Sequence, residues 1–334
     1  MHIVPEFQEG GVERYVLQLC HEQLKQGHEP ALVTAGGKLE KFLDNKIKII
    51  KLPVQRKNLF TGFYSAFKLA RLYKIYNYKW DIIHAHSRVP AFIAWITASF
   101  TKTKWLMTAH APYSLNMGIM PLKHADGAIC VSQAVFDHLQ NYLPPQSVTI
   151  ANGAREAKYK WQGFNDKNKF LFVGYLAKRK GLDTALKALG ELKSYDWTLD
   201  ILGDGSQREE LEELVSKLDL SDRIKFYGFR DDAEKFMSEA SCLLFPSHQE
   251  GLPLTVNEAL AVGLPVIASD IEPLRPLLKS IELNNLVTPG DVSEWREAIK
   301  NFLDFKTSSN LDADKLTSFK DTALEVEKFY YKLL

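Results

Sequence analysis

Short apolar runs alternate with stretches whose apolar positions recur every three or four residues along nearly the whole chain. That alternation predicts parallel sheets covered by helices on both faces. In the first half the runs predict strands at His2–Pro5, Ala31–Thr34, Ile47–Ile50, Asp81–Ala85, Lys104–Ala109, Gly127–Val131 and Val148–Ala151. Between the first two, Val12, Val16, Leu19 and Cys20 recur at helical spacing. Ser132 is placed to cap a helix running to about Asn141, which Pro144-Pro145 closes. A polar, irregular stretch from Arg155 to Asn168 ends this series. A second series predicts strands at Phe170–Gly174, Thr198–Leu202, Ile224–Tyr227, Ser241–Phe245, Pro265–Ser269 and Leu286–Thr288. The last pattern, Ser318 to Leu334, carries Leu324, Val326, Phe329, Tyr330 and Leu333 as apolar positions and is expected to fold back on the first domain. The fold class is therefore α/β, with two Rossmann-like doubly wound domains in residues 1–155 and 156–317 and a returning helix in 318–334.

Composition narrows the setting. The chain has 334 residues, 46% of them hydrophobic and 25% charged, which suits two soluble domains. Cys20, Cys130 and Cys242 lie in apolar stretches without metal-ligand spacing, so free thiols in a reducing compartment are expected. Glu6, Glu9, Glu13 and Glu22 interrupt any secretory signal. The longest apolar run, Val89 to Phe100, falls short of the ~20 residues a bilayer span needs. A cytoplasmic protein is expected, at most peripheral on the inner face of the cell membrane. Residues 1–155 hold 18 Lys+Arg against 10 Asp+Glu and the remainder 24 against 31, so the two halves carry +8 and −7.

The sharpest motif is Phe245-Pro246-Ser247-His248-Gln249-Glu250-Gly251-Leu252-Pro253-Leu254-Thr255-Val256-Asn257-Glu258. A buried strand ends, a loop turns, and a helix starts, which places the loop in the crevice where parallel sheets bind ligands. Backbone N–H groups at Gly251, Leu252, Leu254 and Thr255 are expected to face outward at the positive end of the helix and to suit a diphosphate. Glu250 and Glu258 bracket that helix start, and a carboxylate accepts two hydroxyl hydrogen bonds at once. Glu250 is thus a candidate for a sugar and Glu258 for a ribose.

The segment Glu250 to Glu258 resembles the Glu-x7-Glu motif of the retaining GT-B glycosyltransferases of family 4, and Ala259 to Ser269 continues the likeness. The resemblance covers nearly the whole chain. It implies two Rossmann-like domains about a cleft and sugar transfer from a nucleotide sugar with retained anomeric configuration. No cofactor is expected beside the nucleotide sugar, which is a substrate.

It also gives other positions a role. Gly10-Gly11, after the first strand, resembles the family's glycine loop beside the donor phosphates, where glycine permits positive φ and close approach. His110, at the end of its strand, matches a functional histidine. Lys180, in Gly174-Tyr175-Leu176-Ala177-Lys178-Arg179-Lys180-Gly181, matches the phosphate-binding lysine. The family usually has Arg where this chain has Tyr175, and Arg179 or Lys178 is expected to supply that charge. Gly203-Asp204-Gly205 reads equally as part of a nucleoside pocket or as a tight turn. Asn152-Gly153 reads as a hinge. Histidines 84 and 86 are taken as structural, one pointing inward and one outward, with His86 a marginal crevice candidate. Asp312-Ala313-Asp314 has a metal-binding pattern but lies in a polar segment and is read as loop, so no metal is expected.

Between Asp44 and Asp81 there is no acidic residue, and nine basic ones are interleaved with Phe60, Phe63, Tyr64, Phe67, Tyr73, Tyr76, Tyr78 and Trp80. Residues 46–80 are expected to dock on an anionic membrane surface. The opposing arrangement packs the aromatics on the sheet and leaves only the lysines solvated. No nucleic-acid module accompanies the patch, so nucleic acid is not an expected partner. The expected reaction moves a sugar, UDP-linked by preference, to the hydroxyl of a glycan or lipid-linked acceptor such as a lipopolysaccharide precursor. Two alternatives stay open: a nucleotide-sugar epimerase or hydrolase of the same fold, and a catalytically silent nucleotide-binding partner. A nicotinamide dehydrogenase would need a Gly-x-Gly-x-x-Gly fingerprint that follows none of the strands.

Overall fold

The computed structural model describes every residue except 9, 57, 76–78, 165–167, 252–253, 279–285 and 306–316. The described chain divides into two compact units, Met1–Asn152 with Phe319–Leu334, and Gly153–Ser318. The division falls between Asn152 and Gly153, slightly ahead of residue 155.

In the first unit, strands β1 (His2–Ile3), β2 (Ala31–Thr34), β3 (Lys48–Lys51), β4 (Ile82–Ala85), β5 (Lys104–Ala109), β6 (Gly127–Cys130) and β7 (Ser147–Thr149) form one parallel sheet. Their spatial order is β3-β2-β1-β4-β5-β6-β7. The strand order reverses between β1 and β4, the place where doubly wound sheets open a ligand crevice beyond their carboxyl ends. Helices α1 (Gly11–Lys25), α2 (Leu59–Ile75), α3 (Arg88–Thr101) and α4 (Gln133–Leu139) supply the crossovers.

Helix α2 turns small residues inward. Gly62, Ser65, Ala66 and Ala70 are buried with Leu69, and a Cβ on Gly62 would lie 2.9 Å from the Phe92 ring of α3. The bulky side chains therefore face out, with Phe60 85% exposed and Phe63, Tyr64 and Phe67 also exposed. These four aromatics do not pack on the sheet, whereas Trp80 is buried and Tyr73 half-buried, and Tyr76 and Tyr78 lie outside the described residues.

Helix α11 (Phe319–Leu333) closes the first unit's core. Phe319, Ala323, Val326, Phe329 and Leu333 form one apolar stripe that packs with Tyr15, Val16 and Leu19 of α1 and with Leu106 and Ile129 of the sheet. Gly127 marks the landing point, since a Cβ there would lie 2.8 Å from Leu333 and 2.9 Å from Phe329.

In the second unit, β8 (Asn168–Val173), β9 (Trp197–Leu202), β10 (Ile224–Gly228), β11 (Cys242–Phe245), β12 (Val266–Ser269) and β13 (Leu286–Val287) form a second parallel sheet. Its order is β10-β9-β8-β11-β12-β13, with the reversal between β8 and β11. Helices α5 (Leu182–Gly190), α6 (Arg208–Lys217), α7 (Ala233–Glu239), α8 (Leu254–Val262), α9 (Arg275–Leu278) and α10 (Val292–Phe305) accompany it. Phe170 and Phe172 enter the core on one face with Ile201 and Trp295, while Leu171 enters the other with Leu243 and Val256. Both faces are buried, which is why these strands read as continuous apolar runs. The strands of both units lie where the sequence pattern predicts them, with ends shifted by a residue or two.

Candidate active site

In the second unit the chemistry gathers at the reversal of strand order. Strands β8 and β11 are hydrogen-bonded neighbours, so the loops leaving them meet. The first loop forms a short 3₁₀ turn over Lys178–Lys180 that ends at Gly181 in the left-handed conformation, φ +63°. The second runs from Pro246 to Gly251. His248 N–H donates to the Arg179 carbonyl at 2.8 Å. A Cβ on Gly181 would lie 2.1 Å from the Pro246 carbonyl oxygen, so only glycine allows the loops to approach this closely.

That contact carries Lys180 to Glu250. Lys180 Nζ lies 2.6 Å from Glu250 Oε1, and the two side chains are only 13% and 9% exposed. Arg179 Nη1 stands 3.5 Å from Oε2 of the same carboxylate, with its side chain largely in solvent. The ammonium also sits 5.5 Å from the centroid of the Phe245 ring. Gly203-Asp204-Gly205 braces the first loop from the β9 side. Leu176 N–H donates to the Asp204 carbonyl at 2.9 Å, and a Cβ on Gly203 (φ +134°) would lie 1.9 Å from the Gly174 carbonyl oxygen. Of the two roles the sequence left open for this segment, the tight turn is the one these bonds describe.

Helix α8 starts at Leu254, after a buried Gly251, and its first N–H groups have no intrahelical acceptor. Leu254, Thr255 and Glu258 are half-buried along this first stretch. Leu252 lies outside the described residues, as do Asp312, Ala313 and Asp314. Tyr175 is 58% exposed.

In the first unit, Gly10 caps α1 with φ −74°, an extended conformation open to any residue. The expectation of positive φ is thus corrected. A Cβ would lie 2.2 Å from the Glu13 carboxylate, whose pKa burial raises. Gly11 opens the helix itself.

His110 ends β5 half-buried and belongs to a cluster that the sequence did not reveal. Its Nε2 lies 3.1 Å from His86 Nδ1, and His86 Nε2 lies 3.0 Å from His2 Nδ1. His2 Nε2 then reaches Gln23 Oε1 at 2.8 Å. On a second branch, His84 contacts the Tyr330 hydroxyl at 2.6 Å through Nδ1 and Thr108 Oγ1 at 2.7 Å through Nε2. Histidines 84 and 86 point to the same side, with ring centroids 4.1 Å apart, and both are fully buried. Residues two apart on an extended chain share a face, so the assignment of one inward and one outward side chain is corrected. Burial lowers the pKa of His2 and of His110 to about 3, and those of His84 and His86 well below 6.5. All four rings are neutral near pH 7.

His2, His84 and His86 lie close enough to share a metal ion. Both ring nitrogens of each already have hydrogen-bond partners, however, and this arrangement is a network of imidazoles rather than a set of open ligands. The signal for the cluster was present in the strand pairing, where His2 and His84 are partners across β1 and β4.

Residues 154–315 match the family model described as glycosyl transferases group 1, and residues 9–157 match that of glycosyltransferase family 4. Together the two models span both units. The chain belongs to the family 4, group 1 glycosyltransferases. This glycosyltransferase is 29% identical over 304 residues to an uncharacterised glycosyltransferase of Haemophilus influenzae, covering 85% of this chain and 84% of that one. It is 32% identical over 162 residues to the O-antigen biosynthesis glycosyltransferase WclY of Escherichia coli, covering 47% and 45% of the two chains. Among solved structures, Anabaena HepE in complex with UDP and glucose matches with a TM-score of 0.78 at 17% identity, covering 99% of this chain and 97% of that one. That likeness is one of fold, and the two parallel sheets with their helices are of the GT-B type. Among the described residues no helix is long and apolar enough to cross a membrane.

Proposed function

We propose that this glycosyltransferase moves a sugar from a nucleotide-diphosphate donor, a UDP-sugar by preference, to an acceptor hydroxyl with retention of configuration. The observation that carries the reading is the largely covered Lys180–Glu250 pair at the strand reversal of the second unit. The anomeric carbon breaks its bond to the diphosphate and forms one to the acceptor oxygen. The departing phosphate oxygen takes the acceptor's proton, leaving a nucleoside diphosphate. Lys180 stabilises the charge that develops on that leaving group, assisted by Arg179 and by the N–H groups of Gly251, Leu252, Leu254 and Thr255. Gly10 and Gly11 leave room for the donor phosphates, Glu250 holds the sugar, Glu258 the ribose, and His110 a sugar hydroxyl. No step in this scheme uses a metal.

The UDP preference is supported by the ligands named for HepE, and a surface-glycan or lipopolysaccharide-type acceptor by the role named for WclY. A lipid-linked acceptor suits the exposed aromatic face of α2, where Phe60, Phe63, Tyr64 and Phe67 stand beside Lys68, Arg71 and Lys74. This face would dock on the anionic inner surface of the cell membrane, keeping the enzyme cytoplasmic and peripheral.

The test is a donor screen: purified protein with UDP-, GDP- and ADP-sugars, with and without a lipid-phosphate acceptor mixture, reading free nucleoside diphosphate. Release from one donor that rises with acceptor is expected. Release indifferent to acceptor would replace the reading with a hydrolase or epimerase. Nucleotide binding without any release would favour the silent partner, a reading to which the exposed Tyr175 gives some support.

A further inference from the structure

The first unit contains one continuous chain of hydrogen bonds that ends on His110. Gln23 is its pivot. The amide directs Oε1 at His2 Nε2, 2.8 Å away, and Nε2 at the Tyr330 hydroxyl, 3.3 Å away. An amide oxygen only accepts, so His2 carries its proton on Nε2 and leaves Nδ1 as an acceptor. His86 must then donate from Nε2 to His2 Nδ1 across 3.0 Å. Being neutral, His86 keeps a lone pair on Nδ1, and His110 must donate to it from Nε2 across 3.1 Å. The other branch follows from the same amide orientation. Tyr330 accepts from the Gln23 amide and donates to His84 Nδ1, and His84 Nε2 donates to Thr108.

We infer that His2 and His86 are positioning residues that fix the tautomer of His110, with its proton on Nε2, so that its Nδ1 meets a donor-sugar hydroxyl as a hydrogen-bond acceptor. The inference rests on the reading of His110 as a sugar contact. Nδ1 is the nitrogen left over: among the described residues it has no hydrogen-bond partner, and His110 is the one ring of the four not fully buried. Tyr15 packs edge-on against the His110 ring at 4.9 Å between centroids and holds its plane. The lowered pKa values support the scheme, because a proton added to any ring would give it two donors and break the sequence. The wire has only two self-consistent settings. With the Gln23 amide turned over, every donor and acceptor exchanges roles, and His110 would present Nδ1–H to the sugar instead. An acceptor at this position selects a sugar that offers a hydroxyl there and rejects a deoxy or carbonyl-bearing one.

Tautomers are read directly by long-range proton–nitrogen correlation spectra of the full chain with ring-labelled histidine, taken at pH 7 without ligand. Neutral rings protonated on Nε2 are expected for His2, His84, His86 and His110. Nδ1 protonation at His110, or a charged ring in the wire, would overturn the inference. Gln23→Met, which removes the pivot's acceptor, is expected to mix the His110 tautomers and raise the donor KM by about fivefold with little change in kcat, the loss of roughly one hydrogen bond. A bound sugar nucleotide from the screen should move the His110 Nδ1 resonance, and an unmoved signal would also overturn the inference. Because the tautomers are measured on free protein, failure of the wire and failure of the glycosyltransfer reading give different results.

Discussion

Lys180 Nζ lies 2.6 Å from Glu250 Oε1, with both groups largely withdrawn from water. A pair in this setting is costly to leave half-made. Lys180→Ala is expected to lower kcat by about 10²- to 10³-fold through lost leaving-group stabilisation. Glu250→Ala should lower turnover by about 10²-fold while changing nucleotide affinity far less. Glu258→Ala should do the reverse and mainly weaken nucleotide binding. Steady-state kinetics paired with calorimetric titration separate these outcomes, and equal or negligible effects of the two glutamate changes would refute the division of roles.

Gly181 joins the two loops that make this pair. Gly181→Ala meets both a left-handed backbone and a carbonyl oxygen 2.1 Å from the new Cβ, and should cost about 2 kcal/mol or more of stability. Gly163→Ala is the comparison, with φ +86° and nothing within 4 Å of the added carbon, so it should cost about 1 kcal/mol. Urea denaturation gives both values. Equal losses would mean that the loops part without resistance.

The buried histidines make stability depend on pH. Unfolded His2 and His110 take up protons near pH 6.5, whereas the folded rings do so only near 3. Below 6.5 the unfolded state therefore binds more protons, and stability falls as the pH drops. From pH 7.5 to 5.5 each ring should remove about 1 kcal/mol of unfolding free energy. Glu13, raised by burial, acts with the opposite sign nearer its ordinary range, which is why the window stops at 5.5. A flat profile in that range would show that the rings take up protons as readily in the native state as in the unfolded one.

Helix α2 predicts membrane binding that can be removed without touching the core. Leu59 and Phe60 are 65% and 85% exposed, so replacing the two with Ser should leave the melting temperature nearly unchanged. Cosedimentation with vesicles containing phosphatidylglycerol should fall by about tenfold or more, given the apolar area withdrawn from the bilayer. Binding unaffected by this double substitution would assign the face to something other than lipid.

Tyr175 stands on the loop after β8, 58% exposed, where the family usually carries Arg. Tyr175→Arg adds a cation near Lys180 and should raise kcat by about 3- to 10-fold, as one added charge-assisted hydrogen bond would. A faster variant would show that the native loop is under-charged for the leaving group. An unchanged rate would show that Arg179 already fills that role.

The strands were legible because a sheet buried on both faces has no need for polar residues within its strands. Glu250 and Lys180 were legible from their place after strands, although their direct contact depends on Gly181, whose crowding by Pro246 is a tertiary fact. The positive φ expected at Gly10 is absent, since its backbone is an ordinary extended one that the sequence pattern does not distinguish from a turn. The histidine wire escaped notice for two physical reasons. His84 and His86 were assigned to opposite faces against the two-residue period of a strand. Their partners His2, Gln23 and Tyr330 are close only after folding, with Tyr330 separated from His84 by 246 positions.

The return of α11 to the first unit has a temporal meaning. The second unit is one continuous stretch, Gly153–Ser318, whereas the first is completed by Phe319–Leu334. On the ribosome, the earlier-made unit must wait for the later-made one before the apolar stripe of α11 covers its core. The hydroxyl of Tyr330 arrives with that stretch, so the His84 branch of the imidazole network closes only after the whole second unit has been made.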